Sequence, residues 1–429
     1  MIPVLVIFSQ SHVDFRKPEF DAICSMFSIE VNGSDSINQE SHVFVLHFES
    51  YLEVSKLLSR SILIKFAIDI SIESESYDNL YQKINENPEI IEKFDVPEKS
   101  FALRFFAIGR KKKLDSMERI KLFLDAVPFK NAPISLQSPQ NELYLVEEYE
   151  NPTDTSPKKV YFGKLIGEGR SELKTKYNLR ERCYIGNTTM DPELSFIQAN
   201  LAMVQPRNLV LDPFVGTGGL ILPAAEFGGF VMGTEINYQT ARAKGRSSRQ
   251  GVGERDESES IKANFEQYHT EDKLLSILIA DSSKHGIWSL NAQFDAIVAD
   301  PPYGVREKAR KTVKNKEVAK DVIQYQQKEE YDLESAFSDL LNLSARILVK
   351  NGRISFWYPV ILENYCDENL PNHPAMKLIS NCEQPLTRKT SRRLLTYRKI
   401  REPVEDEVCE IQKTGVSHYR SVLFTPNKA

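Results

Sequence analysis

The sequence lacks any pair of cysteines in CxxC spacing, since its five cysteines are scattered along the chain. It therefore supports neither a zinc site nor a disulfide framework, and we expect the reduced thiols of a cytosolic or nuclear protein, with the cytoplasm as the predicted location. No apolar run approaches the roughly 18 residues that a membrane helix needs. The first residues, MIPVLVIFS, have no basic residue before the apolar run, so we interpret them as a strand and not as a signal peptide.

The chain also lacks an excess of positive charge, because its formal net charge at pH 7 is -5 over 429 residues. This argues against a protein that coats nucleic acid indiscriminately, although local basic faces are compatible with it. Hydrophobic residues make up 41% and charged residues 27%, an ordinary composition for a folded protein. A chain of this length exceeds a single core and predicts two to three domains.

The first 150 residues alternate between strand-like and helical patterns. Residues 1–72 read in the order βαββαβ, which is the ferredoxin-like pattern. Residues 73–150 give a second small α/β unit that contains a basic turn, RKKK. The stretch NPTDTSPKK, from Asn151, is rich in Pro, Thr and Ser and predicts the start of a linker.

From residue 181 onward, five buried-type runs alternate with helical segments: NLVLDP, GFVMGTE, LLSILIAD, FDAIVAD and RISFWYP. Strands that alternate with helices predict βαβ units and a mostly parallel sheet. Two polar stretches interrupt the pattern, at 244–260 and 306–332, and we interpret both as insertions.

Three acids end successive predicted strands beside a glycine loop. Asp212 precedes the loop that contains Gly216 and Gly218, Glu235 ends the next strand, and Asp281 ends the third. The loop does not match GxGxxG, and an acid before it would repel a pyrophosphate. An acid there suits a ligand with a positive amino-acid end, such as S-adenosyl-L-methionine, with the later acids at its ribose and adenine.

The fourth strand ends in Asp300-Pro301-Pro302-Tyr303. The exocyclic amine of a nucleobase is a poor nucleophile, because its lone pair is delocalised into the ring. A carboxylate and a backbone carbonyl that accept its two hydrogens would make the nitrogen more reactive, and a proline keeps its carbonyl while it lacks a donor. Tyr303 offers a face on which an extruded base can stack. The stretch predicts a clamp for a base amine.

These motifs, with YFGKLIGEGR, GNTTMDPELSFIQAN and CEQPLTRKTSRRLL, resemble the family of catalytic subunits of eukaryotic tRNA guanosine-10 N(2)-methyltransferase. The resemblance covers nearly the whole chain. It implies a ferredoxin-like domain at 1–72, a THUMP RNA-binding domain at 73–150, a linker at 151–180 and a Rossmann-like class I methyltransferase domain at 181–429 with a mostly parallel seven-stranded sheet. It also implies a small zinc-binding activator protein that forms a heterodimer with the chain.

Carried over by position, the resemblance implies catalytic roles for Asp300, Pro301, Pro302 and Tyr303. The implied cofactor contacts are Thr188, Thr189, Met190, Asp212, Phe214, Gly216, Gly218, Glu235, Asp281 and Asp300. Basic clusters that would hold the phosphates of a folded tRNA give the candidate RNA-binding residues Arg110, Lys111, Lys112, Arg306, Arg392 and Arg393.

The strand LSILIA, Leu275 to Ala280, is predicted at the edge of the methyltransferase sheet. A bare apolar edge invites pairing with another chain, which makes this strand a candidate dock for the activator. Coverage by the 244–260 insertion is the alternative. Two other functions stay open at this point: an amino-methyltransferase acting on DNA or another substrate, for which DPPY would serve equally well, and a non-catalytic RNA-binding scaffold.

Overall fold

The computed structural model describes residues 1–110, 115–289, 291–303, 310–312, 328–411 and 419–423, with the backbone alone at 328–330, 420 and 421. The chain divides into two compact units, Met1–Ser171 and Glu172–Ala429. Among the described residues, no helix has both the length and the apolar character needed to cross a membrane.

The first unit is built on one seven-stranded sheet. Its elements are β1 Ile2–Phe8, α1 Arg16–Phe27, β2 Val31–Asn32, β3 Val43–Phe48, α2 Tyr51–Leu58, β4 Ile64–Ser74, α3 Tyr77–Glu86, α4 Glu89–Glu92, β5 Phe101–Ile108, α5 Ser116–Ala126, β6 Asn141–Glu148 and β7 Lys159–Glu168. The strand order is β2-β3-β1-β4-β7-β6-β5. The first six elements confirm the predicted βαββαβ order.

The predicted linker at 151–180 differs from the structure. Its central part forms β7, which pairs antiparallel with both β4 and β6. Strands from both predicted N-terminal domains therefore share one sheet. Glycine explains why this strand has a weak signal in the sequence: a Cβ on Gly163 would lie 2.1 Å from the carbonyl oxygen of Asp69, so only glycine allows the two strands to approach this closely.

The second unit contains a second seven-stranded sheet. Its elements are α6 Glu172–Lys176, α7 Pro192–Leu201, β8 Leu209–Asp212, α8 Ile221–Glu226, β9 Phe230–Glu235, α9 Tyr238–Ala241, α10 Ile261–Gln267, β10 Leu274–Ile279, β11 Phe294–Ala299, β12 Arg310–Thr312, β13 Lys328–Glu330, α11 Leu333–Ile347, β14 Leu348–Ile361, β15 Met376–Pro385, β16 Thr390–Lys399 and α12 Tyr419–Leu423. The five predicted runs form the strands β8, β9, β10, β11 and β14.

The strand order of this sheet is β10-β9-β8-β11-β14-β16-β15. The first five strands run parallel, and β16 and β15 add an antiparallel pair. This confirms the α/β class and the mostly parallel sheet, with β10 at the predicted edge. Helix α7 is buried along its whole length, and its N-cap residue is Asp191, whose carboxylate accepts hydrogen bonds from the amides of Glu193 and Leu194.

Candidate active site

The carboxyl ends of the parallel strands meet at one cavity of about 780 Å³. Asp212 and Glu235 end β8 and β9, and Asp281 and Asp300 follow β10 and β11, so four acids reach the same edge of the sheet. Ligands of open α/β sheets bind outside this edge. Of the predicted cofactor and catalytic residues, all but Gly218 line the cavity.

The glycine loop between β8 and α8 is shaped by backbone conformation. Gly216 and Gly218 have φ angles of 52° and 85°, values that favour glycine. A Cβ on Gly218 would lie 3.1 Å from Ile261, whereas a Cβ on Gly216 would meet only the Phe214 carbonyl oxygen, at 3.9 Å. Gly218 therefore serves the packing of the loop, and Gly216 leaves space on the cavity wall.

The upstream segment Thr188–Met190 lies against this loop. Thr189 Oγ1 is 2.9 Å from Thr217 Oγ1 and accepts a hydrogen bond of 2.7 Å from the Gly186 amide. Exposed Thr188, half-buried Thr189 and buried Met190 all line the cavity. The structure thus brings together two segments that lie more than 20 residues apart in the sequence.

Carboxylates crowd the methionine end of the predicted site. Burial raises the pKa of Asp212 well above its usual value, and the nearby charges of Asp300 and Glu235 raise it further. A hydrogen bond from the Phe214 amide acts in the opposite direction. Glu235 accepts hydrogen bonds from the amides of Gly216, at 3.1 Å, and Asn237, at 2.7 Å. A wall with this excess of carboxylates attracts a cationic group, so it fits the ammonium and sulfonium charges of S-adenosyl-L-methionine.

The third acid, Asp281, is bonded to two other segments. One of its carboxylate oxygens accepts a hydrogen bond from the Ser283 amide, and the other accepts from the amide and hydroxyl of Thr312, at 2.7 and 2.8 Å. Burial alone would raise the pKa of Asp281, but these bonds outweigh it and lower the pKa. The described part of the 306–332 insertion, which includes Thr312, therefore reaches the predicted adenine end of the site.

The end of β11, directly before Asp300, is held by a buried side chain of α7. Gln198 Nε2 donates to the carbonyl oxygens of Ala299, at 3.1 Å, and Ser355, at 2.8 Å, while its Oε1 accepts from Trp357 Nε1 at 3.0 Å. Gln198 and Ser355 have no exposed surface. The strand end that carries Asp300 is thereby held to its neighbour β14 and to α7.

Tyr303 lies on the cavity wall between charged and aromatic neighbours. Its hydroxyl accepts a hydrogen bond of 3.2 Å from Arg392 Nη1, and its ring meets Tyr419 edge-on at 6.0 Å. Burial, with the nearby charge of Asp300, raises the pKa of Tyr303. The phenol therefore stays neutral at pH 7.

The predicted RNA-binding residues fall in different environments. Arg392 lines the cavity, whereas Arg393 lies over the Tyr365 ring and pairs with Glu383 at 3.2 Å. In the first unit, Arg110 lies over the ring of Tyr149 at 4.7 Å. Lys111, Lys112 and Arg306 lie outside the described residues.

Sequence reasoning missed several residues that line the cavity, namely Arg310, Tyr331, Leu386 and Tyr419. It also missed Gln198, which lies behind the cavity wall. The first two belong to the insertion, whose sequence has no regular pattern. Tyr419 lies on α12, near the end of the described chain. One feature of the sequence could have indicated a role for Gln198. It is a polar residue within an apolar helical run, and a buried polar side chain needs a hydrogen-bond partner.

Two family models match the chain. One described as "Tmrp11 THUMP N-terminal domain" matches residues 2–171, and one described as "RMKL-like, methyltransferase domain" matches residues 180–321. Together they support the predicted α/β fold class, a THUMP region followed by a methyltransferase domain.

Curated relatives match over most of their length. The protein named "tRNA (guanine(10)-N(2))-methyltransferase TRMT11" of Bos taurus is 36% identical over 409 residues, which cover 93% of this chain and 88% of that protein. The Dictyostelium discoideum protein of the same name is 31% identical over 434 residues, which cover 93% and 82%. The solved structure of TrmN from Thermus thermophilus aligns over 93% of this chain and 100% of its own, with 15% identity and a TM-score of 0.46.

Proposed function

This chain belongs to the family of tRNA (guanine(10)-N(2))-methyltransferases named TRMT11, and we propose that it methylates the 2-amino group of guanosine 10 in tRNA, as the catalytic subunit of a two-protein complex. The observation that carries the proposal is the single cavity that joins the strand-end acids to Asp300 and Tyr303. S-adenosyl-L-methionine is the cofactor of this family and supplies an electrophilic methyl group when it is bound.

The acids and the glycine loop would hold the cofactor in a fixed orientation. Asp212 and the Gly216 loop would face its amino-acid end, Glu235 its ribose and Asp281 its adenine, with Thr188, Thr189 and Met190 as the opposite wall. Such fixed positioning accelerates a group transfer, because the entropy of alignment is lost on binding and not in the transition state.

The Asp300-Pro301-Pro302-Tyr303 segment would prepare the amine. The Asp300 carboxylate and a proline carbonyl would accept the two amine hydrogens, so the nitrogen lone pair would be less delocalised. Tyr303 would stack on the extruded base, a contact worth about 1–3 kcal/mol. Gln198 supports this arrangement, since it fixes the carbonyl of the residue that precedes Asp300.

Basic side chains would position the tRNA, and we propose Arg110, Lys111, Lys112, Arg306, Arg392 and Arg393 as contacts. Phosphate contacts fix the register of the RNA, and stacking with the extruded base completes the placement. The free cysteines suit the cytoplasm as the compartment of action.

We also propose that a small zinc-binding activator docks on β10. Leu275, Leu278 and Ile279 on this outer strand are 51%, 37% and 43% exposed. Within the 244–260 insertion, Arg249 and Arg255 donate to carbonyl oxygens of residues 180–185. These bonds hold that segment against the upstream region, which disfavours the alternative that the insertion covers β10.

A Leu278→Glu variant should keep the fold, measured by circular dichroism, and bind the activator at least about tenfold more weakly. Unchanged binding would exclude β10 as the docking site.

The experiment for the proposed activity is methyl transfer from labelled S-adenosyl-L-methionine to unmodified tRNA, with the activator present and the label mapped to its nucleotide. Asp300→Asn should lower the rate by at least about a hundredfold, a typical loss for an electrostatic contact to the reacting group. Asp295→Asn, at the opposite end of the same strand, is the matched control and should stay active. Label in DNA or at another tRNA nucleotide would contradict the assignment.

A further inference from the structure

Arg392 is a charged side chain on the cavity wall beside the amine clamp. Its Nη1 donates to the Tyr303 hydroxyl at 3.2 Å, and its Nη2 approaches the sulfur of Met190 at 3.2 Å. The guanidinium lies over the Trp357 ring, 4.2 Å from its centroid, and Nε donates to Gln384 at 2.5 Å. Four neighbours therefore fix this side chain in one position.

The partners of Arg392 leave its charge available. Within the described ranges, no carboxylate lies within 4.0 Å of its guanidinium. A phenol oxygen is a neutral acceptor and a thioether sulfur is a weak one, so a carbonyl oxygen in the cavity would compete well for both terminal nitrogens.

The neighbouring residue in the strand is also an arginine, but it makes different contacts. Arg393 pairs with Glu383 and stacks on Tyr365, as expected for an arginine that stabilises the sheet. Successive side chains of a strand point to opposite faces, so β16 presents one arginine to the cavity and the other away from it.

We propose that Arg392 recognises the O6 carbonyl of the target guanine and so makes the site selective for this base. The inference depends on the proposed function, because it assumes that the 2-amino group is held by Asp300 and the following prolines. The edge of guanine that carries this amine presents the 2-amino group at one end, N1–H in the middle and the O6 acceptor at the other end. Asp300 and Pro301 would accept from the amino group, and the cation beyond Tyr303 would be complementary to O6.

Adenine does not offer the same groups to this wall. Adenine presents an amino group where guanine has O6, and two donors would then face each other at Arg392. A contact with a phosphate of the target nucleotide, the role proposed above for the basic side chains as a group, is the competing role for Arg392, and it would be independent of the base.

The test combines a protein change with a base change. The tRNA is assembled by ligation with either guanosine or 2-aminopurine at the target position, since 2-aminopurine keeps the 2-amino group and lacks O6. The measured quantity is kcat/KM for each base, with the activator present, for wild type, Arg392→Gln and Arg392→Lys. Arg398→Gln, on the same strand but outside the cavity lining, is the matched control.

We expect Arg392→Gln to reduce the guanosine to 2-aminopurine ratio about ten- to a hundredfold, as a lost hydrogen bond to a charged donor predicts. Arg392→Lys should retain part of the ratio, and Arg398→Gln all of it. Equal losses for both bases would overturn the inference in favour of a phosphate contact or a structural role. An unchanged circular dichroism spectrum and melting temperature show that a variant is folded. If wild type methylates no guanosine in tRNA, the proposed function itself fails.

Discussion

Replacement of Gln198 by leucine tests how strongly the strand end before Asp300 depends on one buried side chain. Leucine has a similar volume but makes none of the three hydrogen bonds of Gln198. The loss of three bonds at about 1 kcal/mol each predicts a cost of about 3 kcal/mol in the free energy of unfolding. The unsatisfied indole N–H of Trp357 adds about 1–3 kcal/mol, because this ring has no exposed surface.

The assay is equilibrium unfolding in urea, combined with kcat for methyl transfer at saturating tRNA. We expect the unfolding free energy to fall by about 4–6 kcal/mol and kcat by at least about tenfold, since Ala299 directly precedes Asp300 and small displacements at a reacting group are costly. Ser195→Ala, which removes a hydrogen bond to the Asp191 carbonyl oxygen one turn earlier, is the control on the same helix.

A double-mutant cycle with Trp357→Phe separates the contribution of the indole N–H. In the Trp357→Phe background, Gln198→Leu leaves no donor without a partner at this position, so its cost should be at least about 1 kcal/mol smaller. Strictly additive effects, or a cost below about 1 kcal/mol for Gln198→Leu alone, would refute the positioning role of Gln198.

Two further predictions concern the cofactor end of the cavity. The folded-state pKa of Asp212 is raised above the unfolded value of 3.8, so between these two values the native state binds more protons than the unfolded state and loses stability as pH rises. Asp212→Asn should therefore melt at a higher temperature than wild type at pH 7, in scanning calorimetry without ligand. Its affinity for S-adenosyl-L-methionine should fall about ten- to a hundredfold. A lower melting temperature would contradict the raised pKa. Gly216→Ala should cost about 1–2 kcal/mol in stability and also weaken cofactor binding, because of its positive φ and its place on the wall. Gly228→Ala, at a φ of 85° outside the cavity lining, should cost stability only; equal cofactor affinity in both variants would contradict a role of Gly216 in binding.

The core of the methyltransferase unit was predictable because its signals are local. Each buried strand is a short apolar run that ends in an acid or a proline, so Asp212, Glu235 and Asp300 could be placed at strand ends directly. Parallel strands then bring their carboxyl ends to one edge, which predicts that these residues share a site. Strand β7 escaped prediction because glycines interrupt its pattern where the chain approaches β4 closely.

The two arginines of β16 show where local signals stop. The sequence presents Arg392 and Arg393 as one basic pair, and both were assigned to RNA on their charge. Alternation along the strand separates them, but only the sheet and its neighbours decide which face holds the cavity. Their partners then differ: Arg393 pairs with Glu383 of the adjacent strand β15, whereas Arg392 donates to Tyr303 from a distant part of the sequence.

Asp281 shows that a predicted residue can occupy its place and still have a partner that the sequence does not suggest. The strand pattern placed it at the adenine end of the site, where it lines the cavity. Both of its oxygens nevertheless accept hydrogen bonds from the protein, and two of these bonds come from Thr312, in an insertion without a helical or strand period. Because those bonds lower its pKa, Asp281 is a fixed negative charge at neutral pH, and an adenine amino group would share this carboxylate with Thr312. The described part of the insertion, which includes Thr312, therefore belongs to the architecture of the site, although its sequence carries no signal of that role.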